Sequence, residues 1–451
     1  MKKVLVLARV FPPFQSVGHS IRVVKFIKYL PALGWLPSVL TIDDRMEYES
    51  DRRQGSETLL AEIPPEVSIY RTAAGEPSWR YLEKEREFAR RNSLTRLFVK
   101  LLGGTRRWGF RNLLVPDQCL LWLPFALQRG RRIVTGEGID VIFATCPPHS
   151  ATLIGALLKL LTGKRLILDF RDDWIDTPWY YSKGAISRMT NRTMERFAVK
   201  LADKVILVTE WSRDAFLKRY PTEPHDKFIF VPNGCDLEEF AALHPTTTTP
   251  RKPHFTILHA GTLTDSKNWA RTSATLFQAV HSILKREPRL AGELNLAFTS
   301  LLPEGQRPLV KELGLSAVVT ELGFLPRAEF IRFMHACDLL VVINYEGYAT
   351  LIPGKLYEYW AVGGPPILLL SCPGAAASLV EHHSLGVTIE PSDVVGIEDT
   401  ILKGYRQKKL GLPIRIKTAG IERYDRKALA DQLAQILSGV SDSQFHASHG
   451  C

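Results

Sequence analysis

Residues 2–42 read KKVLVLARVFPPFQSVGHSIRVVKFIKYLPALGWLPSVLTI, and the fold follows from this stretch. Val4 to Ala8 is a short β-rich run. A helix expected over 20–33 then carries Ile21, Val24, Ile27 and Leu30 at steps of three and is closed by Gly34. Val39 to Ile42 begins a second strand, completing a β-α-β unit of a parallel sheet. The alternation continues with a strand at 141–144, a helix over 149–161, and strands at 166–170 and 204–208. The segment 241–254 (AALHPTTTTPRKPH) is Pro- and Thr-rich without apolar periodicity, which marks a linker. A second series follows, with strands at 256–259, 294–298, 317–321, 339–343 and 366–370 and helices over 271–285 and 355–362. The expected class is therefore α/β. It has one doubly wound domain over 1–240, a linker over 241–254, a second domain over 255–440, and a flexible polar tail over 441–451.

The chain has 451 residues, of which 45% are hydrophobic and 23% charged, so a sizeable core can be buried and disorder is excluded as the default. Fifty-eight Lys and Arg against 47 Asp and Glu leave a net charge of +11, which favours nucleotides, other polyanions or anionic membrane surfaces as partners. The 6 cysteines show no Cys-x-x-Cys pair and no zinc-finger spacing, and read as reduced thiols of a cytoplasmic protein. Arg9 interrupts the first apolar run and Phe11-Pro12-Pro13 follows it, so the N-terminus reads as a buried strand rather than a signal peptide. No apolar run reaches a membrane span. The segment Phe88 to Pro116 holds seven Arg or Lys and no acid, with Leu94, Leu97, Phe98, Leu101, Leu102, Trp108 and Phe110 interleaved. It fits a peripheral contact with an anionic membrane, or a solvated helical excursion whose apolar stripe packs on its own domain.

The strongest local signal is PGKLYEYWAVGGPP, 353–366. Pro353 suits a first helical turn, where free N–H groups and the positive dipole end hold phosphate. Lys355 adds a mobile charge. Glu358, three residues on, shares its face and can accept hydrogen bonds from vicinal hydroxyls such as those of ribose. An isolated pair of this kind is more often a plain surface ion pair.

With its continuation into Ala361-Val362-Gly363-Gly364-Pro365, this helix resembles the donor-binding helix of the retaining glycosyltransferases of family 4, in which a Lys and a ribose-binding Glu precede an Ala-x-Gly-x-Pro turn. The resemblance spans nearly the whole chain. It implies the GT-B architecture, two Rossmann-like domains facing each other across a cleft. Asp169-Phe170-Arg171-Asp172-Asp173-Trp174 resembles the Asp-x-Arg-Asp-x-Trp segment of a bacterial subgroup that builds surface polysaccharides, which makes Arg171 and Asp172 acceptor-side candidates. In that subgroup the turn Pro147-Pro148-His149-Ser150 faces the cleft, implying that His149 contacts the donor sugar or acceptor. His149 reads equally as a helix-start residue with Ser150 as cap.

Gly18 occupies the place of the family's Gly-rich loop, though Val17-Gly18 stands where two glycines are common. Arg22 follows it and also reads as a structural salt-bridge partner. Gly261-Thr262 with Lys267 is similar to the diphosphate loop, with Thr262 where Arg is usual. Gly323-Phe324-Leu325-Pro326 resembles the turn that cradles the nucleobase. Thr350 stands where the first Glu of the family's Glu-x7-Glu is expected, and with the N–H groups of Leu351 and Ile352 it is placed against sugar and phosphate.

The catalytic candidates are thus His149, Lys267 and Glu358. The donor-binding candidates are Gly18, Gly261, Thr262, Lys267, Gly323, Phe324, Thr350, Leu351, Ile352, Lys355 and Glu358. No Asp-x-Asp occurs in the chain, so no metal and no cofactor is expected, and Lys267, Lys355 and the helix beginning near Pro353 are left to neutralise the departing diphosphate. The expected partners are a nucleotide sugar and a saccharide or polyprenyl-linked acceptor, with no nucleic acid. The expected product retains the donor's anomeric configuration. The competing readings are a nucleotide-sugar epimerase of the same fold and a non-enzymatic binder of anionic surfaces.

Overall fold

The computed structural model describes residues 1–13, 17–43, 59–74, 115–181, 184–241, 254–265, 271–323 and 325–447. Among the described residues, thirteen strands form two parallel sheets. The first has the order β3-β2-β1-β4-β5-β6-β7, built from β1 (Lys2–Leu7), β2 (Trp35–Ile42), β3 (Ser68–Thr72), β4 (Val141–Cys146), β5 (Arg165–Phe170), β6 (Lys204–Leu207) and β7 (Phe228–Phe230). The second has the order β10-β9-β8-β11-β12-β13, from β8 (Phe255–His259), β9 (Leu294–Phe298), β10 (Val319–Glu321), β11 (Leu339–Ile343), β12 (Ile367–Leu370) and β13 (Gly386–Ile389). Helices cover both faces, which is why β4 and β11 are buried along their whole length and read as unbroken apolar runs.

Each sheet winds outward from one strand. β1 lies between β2 and β4, and β8 lies between β9 and β11, so the chain leaves these strands in opposite directions on either side. Such a switch point opens a crevice beyond the carboxyl ends of the strands, where ligands bind in doubly wound sheets. The segments singled out by sequence leave these ends: Ala8 to Pro13 after β1, Thr145 to His149 at β4, Asp169 to Trp174 at β5, and Ala260 to Asp265 after β8.

The structure departs from expectation at the C-terminus. The expected second domain ran to 440 with a frayed tail after it, but one helix spans Arg426–Ala447. Leu429, Leu433, Leu437 and Val440 recur on one face and are buried with Val4, Val6, Val24 and Ile27 of the first domain. Trp35 Nε1 also donates to Ser438 Oγ at 3.2 Å. The chain therefore returns to the first domain because that apolar stripe matches the uncovered face of its sheet. The first helix is Val17–Tyr29, followed by a 3-10 turn Pro31–Leu33, and the strand expected from 317 begins at Val319. The basic segment Phe88 to Pro116, except its last two residues, lies outside the described residues, as does most of the 241–254 linker.

Two passages join the domains, and they touch. Cys235 N donates to Tyr424 O at 3.1 Å, and Arg426 N donates to Cys235 O at 2.9 Å. Arg22, 2% exposed, reaches from the first helix to Asp169 at 3.0 Å and to the carbonyls of Val231 and Pro232. It is the structural partner that the sequence reading weighed. Burying such a pair contributes little net stability, but removing one member costs about 3–5 kcal/mol.

Candidate active site

Helix Gly354–Val362 is the centre of the site on the second domain. Leu356, Tyr357, Tyr359 and Trp360 are fully buried, and Tyr359 OH accepts from Ala260 N at 2.8 Å, which ties the helix to the end of β8. Locking that face fixes where Lys355 and Glu358 stand. Glu358 Oε2 accepts from Lys355 Nζ at 3.0 Å and from Arg327 Nη1 at 2.7 Å. Burial would raise the Glu358 carboxyl, but Arg327 and Lys355 hold it down at about 2. It is an anion throughout the neutral range, which suits a hydrogen-bond acceptor for hydroxyls and not a proton donor.

Arg327 escaped the sequence reading. It opens helix Arg327–Ala336 directly after the Gly323-to-Pro326 turn, and its Nε bonds Glu239 Oε2 at 2.8 Å. Burial disfavours its charge, yet Glu358 and Glu239 raise its pKa. Glu239 in turn accepts from Lys25 at 2.6 Å, and Lys25 also bonds Asp236 at 2.7 Å and Glu62. A chain of alternating charge thus runs from the first helix of the first domain to Glu358. Glu62, Asp236 and Glu239 are close enough together to hold a cation, and the Lys25 ammonium already fills that role.

Across from this helix, the loop after β8 brings in a second unpredicted arginine. Arg271 returns to the loop through a bridge with Thr264, and its Nε donates to Ile343 O at 2.6 Å while the guanidinium lies over Tyr345 at 5.4 Å. A side chain at Gly261 would meet Arg271 Nη2 at 3.4 Å and His259 Nε2 at 3.3 Å, so glycine here leaves the backbone open beside both groups. Burial lowers the Arg271 pKa, and no carboxylate pairs with it among the described residues. His259 donates from Nδ1 to Val341 O at 3.1 Å and is held at about 3 by burial and Arg271. Its Nε2 is thus a buried acceptor with no hydrogen-bond partner among the described residues. Arg271 thus sets a positive charge beside Gly261, next to Thr262, and the bridge with Thr264 and the bond to Ile343 O hold it there.

On the first domain, the Cys146–Pro147 and Pro147–Pro148 peptides are cis, and Arg171 donates to Cys146 O at 3.1 Å and to Pro147 O at 2.5 Å. Arg171 therefore braces the turn that presents His149. The His149 ring stacks on Trp174 with centroids 5.0 Å apart and planes 8° from parallel, and Trp174 Nε1 is fixed by Asn191 at 2.7 Å. Helix Ser150–Thr162 is not capped by Ser150: Asp117 Oδ2 accepts from Ser150 N at 3.1 Å. Asp172 is half-buried beside them.

The domains meet at Asp173, which the sequence reading passed over. Its Oδ2 accepts from Thr350 Oγ1 at 2.5 Å and from Ser212 Oγ at 3.1 Å, and its N–H donates to Tyr348 OH at 3.0 Å. Thr350 O accepts from Thr209 Oγ1 at 2.9 Å, Leu351 N–H bonds Tyr348 O at 3.3 Å, and Ile352 packs on the second core. The hydroxyl and carbonyl of Thr350 thus tie the two domains together, while the N–H of Leu351 closes a turn within its own loop. Gly323 adopts φ +71°, which only glycine adopts readily. Gly18 lies in the first helix, while Lys267 and Phe324 fall outside the described residues.

The sequence model for Glycosyltransferase Family 4 matches residues 102–239. No curated protein matches the chain. The fold is similar to that of sucrose-phosphate synthase from Thermosynechococcus elongatus, at 15% identity and a TM-score of 0.69, covering 98% of this chain and 100% of that one. It is also similar to an E. coli trehalose-6-phosphate structure bound with UDP-2-fluoro glucose (14% identity, TM-score 0.56, 99% and 98% covered). A UDP-N-acetylglucosamine 2-epimerase shares the fold at 12% identity and a TM-score of 0.50, with 95% and 90% covered. The two-sheet α/β arrangement is therefore the GT-B architecture.

Proposed function

We propose that this protein is a glycosyltransferase that moves a sugar from a nucleotide sugar, held on the second domain, to an acceptor presented by the first. The observation that carries the reading is the ionised Glu358 clamped by Arg327 and Lys355 on helix Gly354–Val362, with Arg271 and His259 at the loop after β8. The family match over 102–239 and a fold neighbour bound with UDP-2-fluoro glucose support it.

In this reading Glu358 accepts hydrogen bonds from the ribose hydroxyls, and Gly323 and Phe324 line the base. Arg271, Lys355 and Lys267 surround the diphosphate with positive charge. As the sugar–phosphate bond breaks, charge develops on the leaving oxygen, and preplaced cations in a dry cleft stabilise it without reorganisation. No resident metal is required. The neutral Nε2 of His259 accepts from a donor hydroxyl, and His149 faces the sugar or acceptor from its stack on Trp174. Attack on the same face as the departing diphosphate retains configuration. The acceptor is a saccharide or polyprenyl-linked chain of bacterial surface polysaccharide synthesis, met at the cytoplasmic face of the membrane.

The test is thermal unfolding with UDP, GDP, ADP and dTDP in EDTA, for wild type and Glu358→Ala. A ligand at a hundred times its dissociation constant adds about 2.7 kcal/mol. The expected result is stabilisation of wild type by one nucleotide and loss of that effect in the variant; stabilisation by none, or equal stabilisation of both, overturns the site. The shared fold keeps an epimerase as the second reading. Incubation with the nucleotide sugar alone separates the two, because only an epimerase yields epimerised donor without an acceptor.

A further inference from the structure

The first domain carries a second basin outside the cleft. It encloses about 520 Å3 and is walled by Ile175, Tyr220, Arg192, Arg196, Lys200 and Arg219, among others. Arg192, Arg196 and Lys200 stand four residues apart on helix Ala185–Leu201, so they line one face of it. Like charges at this spacing oppose helix formation by a few tenths of a kcal/mol per pair. The helix offers little in return: its single acid, Glu195, is fully buried and bonded to Arg219 at 2.7 Å and Tyr220 at 2.6 Å, and acts on Arg192 only at a distance.

The basin's own acids are engaged as well. Asp176 pairs with Arg219, and Glu223 pairs with Lys227 at 2.7 Å. Arg192, Arg196 and Lys200 are exposed and make no hydrogen bond or ion pair with a described residue. From Arg192 to Lys200 the helix rises about 12 Å, more than one phosphate group spans. On the same helix Ile186, Met189 and Phe197 are 79%, 66% and 39% exposed. Three exposed cations that make no ion pair with a described residue, around a concave wall with apolar Ile175 and Tyr220 in it, form a receptor for clustered negative charge.

We propose that this basin is a second binding site, for a ligand carrying two or more phosphate groups, separate from the cleft. Two sources supply that chemistry: a soluble polyphosphorylated molecule, or neighbouring phosphate headgroups of an anionic bilayer on which Ile186, Met189 and Phe197 rest. The site stands independently of the reading of the cleft.

The experiment uses the full chain and three variants whose substituted side chains are exposed, with melting temperatures confirming that each folds. The ladder variant is Arg192→Ala/Arg196→Ala/Lys200→Ala, the apolar variant is Ile186→Asp/Met189→Asp, and the charge-matched control is Lys285→Ala/Lys311→Ala/Arg332→Ala. Inorganic tripolyphosphate is titrated calorimetrically. Vesicles of phosphatidylcholine, with and without phosphatidylglycerol, are cosedimented at low salt. The proposal expects wild type and control to bind at least one probe and the ladder variant to bind it about tenfold or more weakly. Binding of tripolyphosphate without vesicles assigns a soluble ligand. Binding of anionic vesicles that the apolar variant also loses assigns a bilayer. Wild type that binds neither probe, a ladder variant that binds both as wild type does, or a control that loses as much as the ladder variant overturns the proposal. Nucleotide stabilisation in the ladder variant is read separately, so the two sites fail or stand apart.

Discussion

Glu358 shows how one residue's neighbours decide its chemistry. Its carboxyl, ordinarily at 4.5, is held at about 2 in the folded protein because Arg327 and Lys355 outweigh the burial that opposes ionisation. A depressed carboxyl contributes stability that is complete above its unfolded value and is lost as pH falls through the folded one. The contribution of Glu358 therefore declines between about pH 4.5 and 2, and Glu358→Gln should flatten the melting-temperature profile in that window; parallel profiles would refute the assignment. Arg271 yields a sharper test of ligand binding. Losing a hydrogen bond to a charged group costs about 1.5–3 kcal/mol, so Arg271→Gln should weaken a nucleoside diphosphate by that amount and the bare nucleoside hardly at all. An equal loss for both would place Arg271 outside the phosphate site. Neither residue's role was fully legible in sequence. Glu358 stood in a recognisable helix with Lys355, whereas no local pattern marks Arg271, which the Thr264 bridge and the bond to Ile343 O place beside Gly261.

At the scale of elements, the two passages between domains act as one unit because their backbones are in contact. A Cβ at Gly234 would stand 1.8 Å from Tyr424 O and 2.7 Å from its carbonyl carbon, backbone that cannot swing aside as a side chain would. Overpacking of this kind costs about 1–3 kcal/mol. Gly234→Ala should accordingly lower the melting temperature and weaken the backbone hydrogen bonds of Cys235 with Tyr424 and Arg426, and hydrogen exchange at the amides of Cys235 and Arg426 reports the latter directly. Unchanged exchange there would show that the passages accommodate the methyl without parting. That Gly234 abuts a segment 190 residues downstream was not legible in sequence, because nothing in a local pattern encodes which distant backbone passes beside it.

The whole molecule is closed by the last helix, which belongs to the second domain in sequence and to the first in packing. Leu433 is 1% exposed among side chains of the first domain. Leu433→Ala removes about 2–5 kcal/mol, and the loss should appear as earlier unfolding of the first domain, followed by limited proteolysis. A loss confined to the second domain would contradict the packing described here. The charge chain Lys25–Glu239–Arg327–Glu358 likewise joins the first domain to the proposed donor helix. Glu239→Gln should therefore weaken nucleotide binding a fewfold without touching the ligand, as titration of the variant would read.

Periodicity in the chain was enough to establish two series of β-α units, the α/β class and the helix bearing Lys355 and Glu358, because strand alternation and helical faces are set by residues a few positions apart. Tertiary structure decided the rest: Arg271 beside Gly261, Arg327 behind Glu358, Thr350 bonded to Asp173, and the return of residues 426–447 to the first sheet. Each of these depends on which distant surfaces become neighbours, and that is fixed only when buried apolar faces and paired charges are satisfied together across the whole fold.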